Sequence, residues 1–248
     1  MNDSKYGIIE QSKPQFPIRK LLVVPHGEQD LIVSFPSFGP NTYERNLEEM
    51  KKTYSHPLTG EQISFRPATT SESISAVAYD FKNIAKPKIF DPRWLQAGHI
   101  VRTQDGVFTN TQLTDESQLK QMLDNFEKVN GIYLGKQGSA FAPYETFERG
   151  FQDADTFAQG GLARVLEHTT EKEAGNLRKI SSPKLYKEGV NVWGFDEVNE
   201  PILRVACLSS IRYLCGNRLS VYGDYRDGDF NGCAFGVLDK SRSDAQKK

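Results

Sequence analysis

The sequence predicts an α+β fold, with antiparallel β segments at the N- and C-terminal ends and a central run of amphipathic helices. Three observations carry this. Apolar runs rich in Val, Leu and Ile, parted by turn residues, stand at both ends of the chain. Capped stretches with helix-period apolar stripes stand between them. Strands and helices do not alternate along the chain as a regular parallel sheet would require.

Taken in order, 19–25 and 30–35 read as strands joined by a turn at His26-Gly27-Glu28-Gln29, and the loop Pro36-Ser37-Phe38-Gly39-Pro40 closes that unit. A helix is expected from Asn41 or Thr42 to about Tyr54, since Pro57 stops it. A short strand over 63–68 follows. Thr69 and Glu72 then have capping-box spacing, and Ile74, Val77, Ala78 and Phe81 fall on one helical face. Segments 98–104 and 107–111 flank Asp105-Gly106, which fits a tight hairpin because both turn positions can take positive φ. Thr114 is the expected cap of a helix whose buried stripe is Leu119, Met122, Leu123, Phe126 and Val129, with Asn130-Gly131 as its stop. Pro143 suits a first helical position, with Tyr144, Phe147, Phe151 and Ala154 on one face and a break at Gly160-Gly161. A further helix is expected over 171–179. The end returns to strands over 190–195, 202–213, 219–222 and 233–238. The whole reads as one domain over 5–240 with a frayed polar tail at 241–248; a boundary near 135–138 is the alternative.

Composition narrows function mainly by exclusion. A chain of 248 residues can bury a substantial core, and 31 basic against 32 acidic residues give no reason to expect non-specific binding to nucleic acid or an anionic membrane. No apolar run approaches the roughly 20 residues needed to span a bilayer. With no hydrophobic segment after the first residues and three cysteines, Cys207, Cys215 and Cys233, that cannot all pair internally, a cytoplasmic protein with reduced thiols is expected.

The densest candidate site is the acidic loop from Asp224 to Gly232. Asp227, Asp229 and Asn231 alternate and Gly232 follows, which is the first half of a calcium loop and would take Ca²⁺ or Mg²⁺. The second half is missing, because Leu238 stands where a bidentate Glu belongs, so Asp224, Asp239 or carbonyls would have to complete it. The same residues are what a hairpin tip uses. His26 is the catalytic candidate, just after an apolar strand, although a lone His in a turn is commonly plain surface. The run Gly131-Ile132-Tyr133-Leu134-Gly135-Lys136-Gln137 is one residue short of a phosphate loop and lacks its Ser or Thr. Histidines 26, 56, 99 and 168 show no zinc spacing. Glu145, Glu148, Asp153 and Asp155 offer carboxylates, but such acids also make an ordinary solvated face.

Three functions remain. Because the common local catalytic signatures are absent or broken, the first is a non-catalytic binding or interaction protein for a protein or small-molecule partner, with nucleic acid and membrane not expected. The second is a divalent-metal-dependent hydrolase assembled from distant residues, with His26 assisting. The third is a single-strand RNA binder using Trp193, Phe195, Tyr213, Tyr222, Tyr225 and Phe230 beside Arg204, Arg212, Arg218 and Arg226.

Overall fold

The computed structural model describes residues 19–83, 94–182, 186–209, 218–226, 228 and 232–239. It begins with a hairpin, β1 (Lys20–His26) and β2 (Gln29–Phe35), in register from Lys20 opposite Phe35 to His26 opposite Gln29. Then come β3 (Phe38–Asn41), α1 (Tyr43–Lys51), β4 (Tyr54–Ser55), β5 (Gln62–Ile63) and β6 (Phe65–Pro67). Thr42 caps α1, its hydroxyl accepting from the Arg45 amide at 3.2 Å. The expected capping box opens α2 (Thr70–Asn83): the Thr69 amide donates to Glu72 Oε2 at 2.8 Å and the Glu72 amide donates to Thr69 Oγ1 at 3.3 Å. The middle of the chain holds β7 (Trp94–Arg102), β8 (Gly106–Thr109), α3 (Glu116–Asp124), β9 (Glu127–Val129), β10 (Ile132–Leu134), β11 (Ala140–Pro143) and β12 (Gly150–Gln152). Next are α4 (Ala154–Gln159), α5 (Gly161–Glu167), α6 (Gly175–Ile180), β13 (Val190–Trp193), β14 (Ile202–Ser209), β15 (Leu219–Tyr225), β16 (Gly232–Ala234) and β17 (Gly236–Leu238).

These strands form an 11-stranded sheet, a four-stranded sheet and the small β4–β5 pair. The large sheet runs β12-β13-β15-β14-β7-β8-β11-β10-β9, with β16 beside β7 and β3 beside β16. The small sheet, β1-β2-β17-β6, joins N-terminal strands to a C-terminal one. Paired residues share a face of a sheet, so register shows what each face packs against. Ile100, Leu208 and Val221 meet Ile74, Val77, Leu162 and Leu177 of α2, α5 and α6. On the opposite face, Val205 and Cys207 meet Met50 of α1 together with Tyr54 and Phe65. Further along that face, Val101, Phe108 and Phe141 meet Leu119 of α3. Each fully buried Leu, Ile or Phe contributes about 1.5–3 kcal/mol relative to exposure.

The expected class is therefore corrected. The protein is mostly β, 40% strand against 28% helix, with the centre of the chain woven into the large sheet rather than forming a helical layer. Two predicted helices account for most of the difference. Leu119, Leu123 and Phe126 do share one apolar cluster, but α3 ends at Asp124 and Phe126 reaches the cluster after a turn. Asn130-Gly131 is a hairpin turn between β9 and β10, with φ of 48° and 87°, and not a helix stop. The stretch from Pro143 to Phe151 is the end of β11, a single 3₁₀ turn and β12, and Phe151 is 69% exposed.

The β7–β8 hairpin forms as expected, with the Thr103 amide donating to the Gly106 carbonyl at 2.9 Å, but neither Asp105 nor Gly106 has positive φ. Gly106 is required for another reason. A Cβ there would stand 2.3 Å from the Ala142 carbonyl oxygen and 2.7 Å from the Phe141 ring. The alternative boundary at 135–138 falls between β10 and β11, which are neighbours in one sheet. Residues 241–248 lie outside the described residues. Among those described, no helix is long and apolar enough to cross a membrane.

Candidate functional site

Among the described residues, two places combine a polar cluster with a concavity or a helix start. The first surrounds His26, at the end of β1 where the small sheet meets α2. Its Nδ1 shares a 2.9 Å hydrogen bond with Ser75 Oγ. Burial pushes the imidazole below its usual value, with Glu72 raising it and Arg66 and His168 lowering it. Glu72 itself is engaged on both oxygens: Arg66 donates to Oε1 at 2.6 Å and to Oε2 at 2.8 Å, and the Thr69 amide also reaches Oε2. Burial opposes ionisation of Glu72, but the guanidinium and amide outweigh it and hold the carboxyl below its usual range. Ser75 is only 6% exposed and lies in the second turn of α2, where backbone amides are spent on the helix's own ladder. The cluster can hold a neutral His against a serine hydroxyl, and it ties β1, β6 and α2 together.

The second place is the tip of the β7–β8 hairpin. Two hollows adjoin there, of about 680 Å³ and about 390 Å³, within the range of ligand pockets. Gln104, Asp105 and Phe141 line both. The smaller is floored by Phe108, Phe141, Leu119 and Leu123 from the α3 cluster. The larger is walled by Tyr133, Tyr144, Glu145, Arg149 and Glu197. Tyr144 fixes this wall: its hydroxyl lies 3.2 Å from the Thr103 carbonyl oxygen and 3.0 Å from that of Asp196, which joins the hairpin tip to the 194–197 loop. Burial lifts its pKa to about 12, so it stays a donor. Arg164 steadies the opposite wall, donating to the carbonyls of Val129 and Asn130 and so anchoring the β9–β10 hairpin that carries Tyr133. Among the described residues, the carboxylates of Asp105, Glu116 and Glu145 take neither an ion pair nor a hydrogen bond.

His26 lies in the α2 cluster, whereas Asp227, Asp229 and Asn231 lie outside the described residues. Asp224, at the start of that loop, accepts from Arg204 Nε at 2.7 Å and Arg102 at 3.1 Å. Among the described residues, no group of three or more His, Cys, Asp or Glu side chains could hold a metal ion. The other histidines stand in separate settings: His56 accepts from a turn, His99 packs on Tyr43, and His168 reaches the Gly135 carbonyl. Of the aromatic–Arg set, Phe195 and Tyr225 are buried and Trp193 stacks on Tyr222 at 3.9 Å. Arg204 pairs with Asp224 and Arg218 with Glu188, while Tyr213, Arg212 and Phe230 lie outside the described residues. Cys207 and Cys233 are buried in strands. Of the four acids offered as carboxylates, Glu145 lines the larger hollow, Asp153 caps α4 and Asp155 pairs with Arg178.

Sequence reading missed the hollows. The Asp105-Gly106 turn was visible, but its partners Phe141, Tyr144 and Glu197 come from distant strands and loops that only the fold places beside it. No family model, curated protein or solved structure matches this chain.

Proposed function

We propose that this chain is a non-catalytic binding protein and that the two hollows at the Gln104-Asp105 tip hold its ligand. One observation carries the reading: the adjoining hollows pair an apolar floor with a polar rim on which the carboxylates of Asp105, Glu116 and Glu145 have no protein partner among the described residues. Ligand sites commonly join a largely apolar surface to a few convergent polar groups. Buried cysteines and the absence of a membrane-crossing helix among the described residues support a cytoplasmic setting. Peptide and glycan arrays probed with the native chain and with an Asp105→Arg/Glu145→Arg variant test the reading. A ligand held by the native chain and lost by the variant supports it; arrays that stay blank, or that respond equally to both, contradict it.

A hydrolase is the second reading, and it is supported by the His26–Ser75 hydrogen bond, with Ca²⁺ or Mg²⁺ at Asp227, Asp229 and Asn231 as its metal-assisted form. A panel of generic ester, phosphoester and glycoside substrates, run with and without chelator, decides it. Turnover abolished by His26→Gln supports the hydrolase; silence with every metal removes it.

A further inference from the structure

We infer that the ligand of the two hollows is a basic peptide segment that seats one apolar side chain beside its positive charges. This rests on the binding reading above and deepens it by naming the ligand class.

The hollows differ in chemistry. The smaller ends on Phe108, Phe141 and Leu119 with half-buried Leu123 beside them, so its floor is apolar and suits an aliphatic or aromatic side chain. Anchors of that kind carry most of the affinity where a peptide meets a groove. A sugar would leave its hydroxyls without partners on such a floor, which is costly.

Charge selects the rest of the ligand. Asp105, Glu116, Glu145 and Glu197 line the hollows, against two cations, Lys120 and Arg149. Arg149 is already drawn to Asp196 and Glu197, at 3.6 and 3.9 Å. Three carboxylates therefore face solvent on the rim with no cation of their own among the described residues. That field repels phosphates, which argues against a nucleic acid, and attracts Lys or Arg. The rim aromatics already show the matching chemistry: Arg149 stands 5.5 Å from the Tyr144 ring centre and Lys128 stands 5.4 Å from that of Tyr133. A ligand guanidinium would find the carboxylates of Asp105 and Glu145 in the larger hollow while its apolar neighbour fills the smaller.

The test uses the full chain and a fluorescein-labelled peptide, Gly-Arg-Arg-Gly-Leu-Gly-Arg-Arg-Gly, followed by anisotropy. Companion probes replace Leu by Gly, or every Arg by Glu, and a labelled neutral oligosaccharide is the fourth. The inference predicts that the first probe binds, that losing Leu weakens it about tenfold, as expected for one buried aliphatic side chain, and that the Arg-to-Glu probe is not held. The Asp105→Asn/Glu145→Gln variant, checked for an unchanged melting temperature, weakens the first probe about tenfold, and added salt weakens it further. Leu123→Gln removes the preference for Leu. Preferential, variant-sensitive binding of the oligosaccharide or of the Glu peptide would overturn the basic-peptide inference while leaving the hollows as a binding site. Basic-probe binding that the variants leave unchanged would place that contact elsewhere and overturn it too. No binding by any probe overturns it, and the arrays then decide separately whether the binding reading survives.

Discussion

Around the first turn of α2, Glu72 receives both guanidinium nitrogens of Arg66 and the Thr69 amide, and the His26 ring meets Ser75. At the β7–β8 tip, by contrast, Asp105, Glu116 and Glu145 hold their carboxylates out with no protein partner among the described residues. Both regions collect charge near a concavity or a helix start, but the first engages both Glu72 oxygens and His26 Nδ1 within the chain, whereas the second leaves three carboxylates without a protein partner among the described residues. A residue type drawn from the catalytic repertoire, such as His26, is thus a poor guide by itself. The informative property is whether its polar atoms are already engaged.

The largest effect that sharpens this contrast is Glu72→Ala. It removes half of the capping box and strips the partner from the half-exposed Arg66, and we expect about 2 kcal/mol of destabilisation by urea titration. A loss below about 0.5 kcal/mol would show that the α2 cluster does not hold the fold together. Gly106→Ala comes next, because its Cβ would stand 2.3 Å from the Ala142 carbonyl oxygen. It should cost about 2 kcal/mol through overpacking; a wild-type melting temperature would mean that the hairpin tip yields freely. Ser75→Ala leaves His26 Nδ1 without its partner and should cost about 1 kcal/mol.

The same region has a pH signature. His26 has a folded pKa below its ordinary value of 6.5, so the unfolded chain takes up a proton first as the pH falls. Stability should therefore decline as pH drops below about 6.5 and through the folded value. Glu72, also lowered, contributes stability that is present above its ordinary 4.5 and is lost only at still lower pH. Comparing the native chain with His26→Asn cancels the other groups, and the native chain should lose stability relative to the variant as pH falls from about 7 to 5.5. Parallel curves would remove the burial account of His26. The smallest stability effect belongs to the groove: Asp105→Asn/Glu145→Gln should stay within about 0.5 kcal/mol of the native chain. A large loss there would mean that these carboxylates serve the fold after all.

Much of the local structure was legible in the sequence. The β1–β2 hairpin, the Thr69–Glu72 capping box, the break at Gly160-Gly161 and the C-terminal strands all follow from turn chemistry, capping and apolar period. The class was not, for a physical reason. Strands such as β9, β10 and β12 have three residues each, too short to display an alternation. Their apolar residues then fall by chance at helix-like intervals, as Phe126 and Val129 did beyond α3. Asn130-Gly131 carried the correct hairpin signal, which the apolar stripe before it masked. The hollows were illegible because their walls come from β8, α3, β10, β11 and the 194–197 loop, which no sequence period connects.

The β7–β8 tip, rather than the His26 cluster, is the proposed binding surface. The most direct measurement is a two-dimensional ¹⁵N–¹H titration of the full chain with the Leu- and Arg-containing probe. The account predicts saturable shifts at the amides of Gln104, Asp105, Leu123, Glu145 and Glu197, with His26, Glu72 and Ser75 unmoved. Saturable shifts centred on His26, Glu72 and Ser75, with the tip unmoved, would contradict it.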